Sequence, residues 1–285
     1  MKAIEVETQR GTILRGALFS AGGDTVFIAI TGIHGNFYSN PFYYDVAESL
    51  NSHGIDFICA FTNDATSEIK TRNARTGVDE VIGSWNERFE DTDDDVRSYI
   101  DFAERAGYQH IILGGHSLGA NKVIHYLSGN HDPRVEKFFF LSPAELKHMT
   151  SDVSDREKDL ICKFIERGDG EKILPFYFMG WLICTARTGY QWLFSEILDN
   201  VHLERNGNFD QASRITHTGA MLIGTYDTFT RGDPRAFLTN LNNHLPTPQK
   251  NKLLFIEKTG HTYQRKEKEL AQKILETILE WKNEL

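Results

Sequence analysis

The chain has 285 residues, a formal net charge of −9 at pH 7, 40% hydrophobic and 25% charged residues, a balance ordinary for one globular core, or one core with an inserted subdomain. The acidic excess argues against nonspecific binding to nucleic acid or an anionic membrane surface. No run of about 18 apolar residues offers a membrane span, and Met1-Lys2-Ala3-Ile4-Glu5-Val6-Glu7 lacks the apolar stretch of a signal peptide, so a cytoplasmic protein without membrane insertion is expected.

In chain order, Ile4 to Thr8 and Ile13 to Phe19 read as two strands joined around Gly11, and Thr25 to Ile30 as a strongly apolar third. Phe42, Val46, Ala47 and Leu50 recur at helical spacing between Pro41 and His53; Gly54 ends that helix and the apolar run Ile55 to Phe61 follows. Cys59 in this run is expected to be a buried free thiol, and with Cys162 and Cys184 it shows no metal-ligand spacing and implies no disulfide framework. Thr62 to Asp91 is a polar connection of little periodicity, long for a loop, and therefore either locally structured or a flap over a site. Thr92 followed by Asp95 has the pattern of a capping box, opening a helix with Val96, Tyr99, Ile100 and Ala103 on one face and closing near Gly107. His110 to Gly114 reads as a short buried strand, and Ala120 to Ser128 places Ala120, Val123, Ile124 and Leu127 on one helical face. This alternation predicts parallel β-α-β units, hence an α/β protein with a mostly parallel central sheet flanked by helices.

Between that strand and helix lies Gly115-His116-Ser117-Leu118-Gly119. A serine at such a corner is held in a strained turn that projects its hydroxyl clear of the sheet, and side chains at the flanking glycines would clash. The following helix directs free N–H groups and its positive end toward an oxygen gaining negative charge, which makes the Leu118 amide a candidate oxyanion donor. Further on, Val135 to Leu141 reads as a buried strand ending at Ser142-Pro143. Ala144 to Ile215 then breaks the alternation. Ala220 to Thr225 is a short apolar strand leading to Asp227, Lys252 to Glu257 is the last strand, and Lys258-Thr259-Gly260-His261 places a histidine before an amphipathic final helix between Tyr263 and Trp281.

The glycine-boxed serine, then an aspartate after a strand, then a histidine before the last helix, resembles the α/β-hydrolase superfamily over nearly the whole chain, from about Thr25 onward. The resemblance implies a hydrolase core of residues 1–143 and 216–285 with an antiparallel edge at its start, and a cap or lid of residues 144–215 roofing the pocket. It implies Ser117 as nucleophile, His261 as base and Asp227 as acid, with Glu145 and Asp233 as rivals for the last role. The second oxyanion donor comes from the loop Thr31 to Phe37. It is the Ile33 amide if Thr31-Gly32 occupies the place of the family's His-Gly pair, or the Asn36 amide if His34-Gly35 does; the end of the strand at Ile30 favours Ile33. His34 and His116 are expected to be structural. In the cap, Phe178, Trp181 and Trp192 either form an aromatic acyl-binding wall or pack the cap against the core. The implied activity is hydrolysis of a small or medium carboxylic ester, aromatic or of natural-product type, with no cofactor and no metal. A thioesterase or acyltransferase uses the same triad, so the partner is a small-molecule ester or thioester; a noncatalytic binding protein on the same fold is the reading from another class.

Overall fold

A computed structural model describes residues 1–284. The first strands, β1 (Lys2–Glu7) and β2 (Ile13–Phe19), form an antiparallel pair, and β3 (Thr25–Ile30), α1 (Phe42–Asn51) and β4 (Ile55–Ala60) follow. Strands β5 (Ile69–Arg72) and β6 (Asp79–Ile82) make a separate two-stranded hairpin. The stretch between β4 and Asp91 is thus locally structured, and the Thr71 hydroxyl anchors it to the Ile13 carbonyl on β2. Then come α2 (Thr92–Arg105), β7 (His110–His116), α3 (Leu118–Asn130) and β8 (Val135–Leu141). Four helices precede the next strand: α4 (Leu146–Met149), α5 (Asp155–Glu166), α6 (Ala186–Phe194) and α7 (Asp210–Ser213). The chain closes with β9 (Thr218–Gly224), α8 (Pro234–Asn243), β10 (Lys252–Ile256) and α9 (Glu267–Glu284).

The main sheet has the order β1-β2-β4-β3-β7-β8-β9-β10. It is antiparallel from β1 to β4 and parallel from there to β10. Parallel strands are buried on both faces, which is why β3 and β4 read as unbroken apolar runs. Along β3, Val26, Ile28 and Ile30 join one core with residues of α2, α3 and α8, while Phe27 and Ala29 join the other with α1 and α9. Cys59 lies fully buried in β4. From β3 the chain moves to β4 on one side and later returns through β7 on the other. The carboxyl ends of β3 and β7 are therefore a topological switch point, where crevices open in sheets of this kind.

Two local expectations are corrected. Helix α2 starts without a side-chain cap: Thr92 and Asp91 before it already have helical backbone, and the Asp95 carboxylate is taken by Arg10 at 2.5 Å and by the Asn63 amide at 3.2 Å. Helix α3 is buried on nearly all sides rather than on one face, Asn121 and Lys122 included, because the segment between β8 and β9 covers its second side. Asn121 holds that segment through the Ala144 and Leu198 carbonyls at 2.8 and 3.0 Å. No described helix is long and apolar enough to cross a membrane.

Candidate active site

Ser117 sits between β7 and α3 with φ 57° and ψ −130°, a conformation costly for a residue with a β-carbon. Its amide is fixed to the Leu141 carbonyl of β8 at 3.0 Å. The flanking glycines are required by close approach. A β-carbon on Gly115 would lie 2.2 Å from the Gly119 carbonyl oxygen, and one on Gly119 would lie 2.3 Å from that of Ile30. The turn can form only where both side chains are absent.

Gly32 brings the loop after β3 against this turn: a β-carbon there would lie 2.9 Å from Ser117 Cβ and 3.1 Å from the Leu118 nitrogen. That contact places Gly32, the residue before Ile33, against the elbow. Among the described residues Ile33 N–H has no acceptor, whereas the Asn36 amide donates to Ser39 Oγ at 3.0 Å. The Leu118 amide is the first of its helix and has no partner inside it. Asn36 builds the turn itself, its side-chain oxygen accepting from the amides of Tyr38 and Ser39.

Asp227 and His261 lie on loops laced together. The Tyr226 amide donates to the Thr259 carbonyl at 2.8 Å, and a β-carbon on Gly224 would meet the carbonyl oxygens of Thr259 and Gly260 at 2.4 and 2.5 Å. His261 Nδ1 is 2.9 Å from Asp227 Oδ2, and the Phe229 amide donates to Asp227 Oδ1 at 3.0 Å. Burial by itself raises the Asp227 carboxyl; the charge of His261, its hydrogen bond and the Phe229 amide outweigh that and hold it below the usual carboxylate value. His261 Nε2 is buried with no hydrogen-bond partner among the described residues. It is not bonded to Ser117 Oγ, a separation common before substrate tightens such a site. The rival acids are engaged elsewhere: Asp233 caps α8 by accepting from the Ala236 amide at 2.9 Å, and Glu145 lies 3.6 Å from Arg231 and accepts from the Leu203 amide.

His116 ties the elbow to the histidine loop. Its Nε2 is 2.8 Å from the His261 carbonyl oxygen, and the two rings are 4.9 Å apart. Burial, then repulsion from His261, pushes its imidazole down to about 3. It is therefore neutral and donates its Nε2 proton to that carbonyl. A folded value below the ordinary 6.5 means that this stabilisation is fully present above pH 6.5 and is lost as pH falls toward 3. His116→Gln keeps a donor and removes the titration, so its Tm should fall less steeply than that of the native chain across this window. Parallel Tm curves would show that His116 carries none of the acid sensitivity.

Of the three aromatics singled out within residues 144–215, Trp181 alone is substantially exposed, at 44%, with its ring 5.5 Å from that of His34. Phe178 and Trp192 are corrected to packing positions: Phe178 is fully covered, and Trp192 lies edge-on to Phe89 at 5.6 Å. Rings so covered have no face left for a ligand. His34 Nε2 lies 2.7 Å from Ser84 Oγ. A cavity of about 430 Å3 between Ile112, Ile278 and Trp281 lies at the amino ends of the strands, away from Ser117.

A charged cluster escaped the sequence reading. Lys122, its side chain 2% exposed, places Nζ 2.6 Å from Asp64 Oδ1, 2.7 Å from Glu87 Oε1 and 3.1 Å from Thr62 Oγ1. Burial and the neighbouring Asp64 push the Glu87 carboxyl up to about 8 against the pull of Lys122. The available signal was a lysine within a helix flanked on both sides by apolar structure.

No protein-family description and no curated protein sequence matches this chain. Solved structures do. Est1E from Butyrivibrio proteoclasticus superposes with a TM-score of 0.68 at 15% identity, covering 98% of each chain. DcsB in complex with its substrate analogue superposes with a TM-score of 0.69 at 16% identity, again over 98% of each. The α/β hydrolase GrgF from Penicillium sp. sh18 gives 0.66 at 17% identity over 96% of each.

Proposed function

On the α/β-hydrolase fold that this chain adopts, we propose a serine hydrolase that cleaves a small or medium carboxylic ester through Ser117, His261 and Asp227. Three features at the carboxyl ends of the parallel strands, where His116 of the elbow is bonded to the His261 carbonyl, carry this reading. They are a strained serine, an aspartate-held imidazole with a bare Nε2, and the Leu118 and Ile33 amides beside the serine. Asp227 accepts the Nδ1 proton of His261, which leaves Nε2 as the base. His261 takes the Ser117 proton as Oγ attacks the ester carbonyl, and the Leu118 and Ile33 amides hold the oxyanion. The imidazolium returns the proton to the leaving alcohol; water, activated by the same nitrogen, then releases the acid and restores Ser117. Every step uses protein groups and water.

Residues 144–215 act as the cap in this reading. Their apolar cluster includes Leu118 and Phe89, so they pack directly against the elbow. Trp181, exposed beside His34 on the oxyanion loop, offers the aromatic face for a flat acyl group. Est1E, one of the proteins similar in fold, has been solved with ferulic acid bound, which supports an aromatic acyl group here.

The test is hydrolysis of p-nitrophenyl esters from acetate to decanoate together with a feruloyl ester, alongside labelling by a fluorophosphonate. Ester turnover with an adduct on the Ser117 peptide is expected. Labelling without turnover of any ester would move the assignment to thioesters. Neither labelling nor turnover would leave a noncatalytic binding protein.

A further inference from the structure

We infer that the buried Lys122–Asp64 ion pair is the positioning element of the oxyanion hole, fixing the Ile33 amide after β3 relative to the Leu118 amide at the start of α3. This inference rests on the hydrolase reading above. The two donors belong to segments about 85 residues apart in sequence, and hydrogen-bond donors stabilise an oxyanion only when held in place before it forms.

The physical link can be followed atom by atom. The loop after β3 is fixed on both sides of Ile33 to the chain leaving β4: the Thr31 amide donates to the Ala60 carbonyl at 3.1 Å, and the His34 amide donates to the Asp64 carbonyl at 2.8 Å. The Asp64 side chain, fully buried, accepts from Thr62 Oγ1 at 2.8 Å and from Lys122 Nζ at 2.6 Å. Lys122 stands on α3, a little over one turn beyond Leu118. One ammonium thus joins the helix that supplies one donor to the segment that orients the other. Glu87 completes the cluster, and its main-chain carbonyl accepts from the side chains of Thr188 and Gln191 in the cap. The cap's attachment therefore converges on the same ammonium.

Packing alone gives no reason for this arrangement. A buried ion pair is often no more stabilising than apolar side chains of the same volume. What it adds is direction: a short charge-assisted hydrogen bond fixes distance and angle where an apolar contact slides. Small errors suffice to matter, since a displacement of about 1 Å at a reacting site costs about a hundredfold in rate.

The decisive variant is Asp64→Ala. It removes the charged link to the segment that orients the oxyanion loop, leaving only the neutral Thr62 hydroxyl at 3.1 Å, and keeps Lys122 paired with Glu87, so no unpartnered ammonium remains in the core. Active sites are counted by fluorophosphonate labelling to completion, and kcat is expressed per labelled site. Asp64→Ala is expected to lower kcat about 10- to 100-fold while KM for the ester changes little, and to weaken binding of a trifluoromethyl ketone by a similar factor. Asp64→Asn, which keeps an acceptor for Lys122 and Thr62, should restore most of the loss. A merely structural role would lower Tm and the number of labelled sites and leave kcat per site and ketone affinity as in the native chain; that result overturns the inference. Failure of the native chain to label at Ser117 and to turn over any acyl substrate would instead overturn the hydrolase reading itself, and this inference with it.

Discussion

Ser117→Ala is expected to lower kcat about a million-fold on any ester that the native chain hydrolyses. The substitution removes one oxygen and leaves the turn intact. Ser117 has φ 57°, and alanine pays the same backbone cost as serine there, so stability should move by no more than about 0.5 kcal/mol. The Gly115 and Gly119 contacts that shape the turn are untouched. An inactive protein with native Tm and native affinity for a substrate analogue would separate loss of the nucleophile from loss of fold. Ser117→Gly makes the complementary case. It relieves the positive φ and should be more stable than the native chain by about 1 kcal/mol, yet equally inactive. Residual turnover of a tenth or more in either variant would remove Ser117 from the reaction.

Asp227→Asn should have the second largest effect, a loss of about ten-thousandfold in kcat with little change in KM. The argument turns on which end of the amide faces the imidazole. Asp227 Oδ1 accepts from the Phe229 amide, and Oδ2 faces His261 Nδ1. An asparagine that keeps the first bond with its oxygen must present its nitrogen to Nδ1. Nδ1 then accepts, the proton moves to Nε2, and the base is lost. Raising the pH would not restore activity, because the defect is one of tautomer and not of charge. The competing assignments make opposite predictions. If Glu145 supplied the acid, Glu145→Gln would abolish turnover and Asp227→Asn would spare it. Its contacts with Arg231 and the Leu203 amide instead tie the segment between β8 and β9 to the loop after Asp227.

Proximity between these groups depends on the loops more than on the side chains. Asp227 follows β9 and His261 follows β10, which are parallel neighbours. Gly224 lets the second loop lie directly on the first, and His116 anchors the same loop from the elbow side. The His261 loop is therefore held from two directions, which in the proposed mechanism keeps the reorganisation of the imidazole during proton transfer small.

Much of this protein is determined by local sequence. Unbroken apolar runs such as Thr25 to Ile30 specify strands buried on both faces, because only a parallel sheet covered by helices satisfies them. The glycines around Ser117 specify the turn, since no other residue survives carbonyl contacts near 2.2 Å. The order of serine, aspartate and histidine was likewise legible, because each follows a strand at the same end of the sheet. Sequence left the oxyanion donor open between Ile33 and Asn36, since both registers place a glycine before the amide. The packing of Gly32 against Ser117, and the bond from the Asn36 amide to Ser39, support the proposed Ile33 donor.

The same limit explains the other differences. Phe178, Trp181 and Trp192 look alike in a list of aromatics, and whether a ring meets solvent or another ring depends on neighbours distant in sequence such as Phe89 and His34. Lys122, Asp64 and Glu87 carry no shared motif. Each charge alone is unremarkable on a surface, and the cost of burying it can be met only when three segments close over one ammonium. Short-range sterics and hydrophobic periodicity are written residue by residue; burial and long-range electrostatics are properties of the assembled chain, and tertiary structure alone decided them.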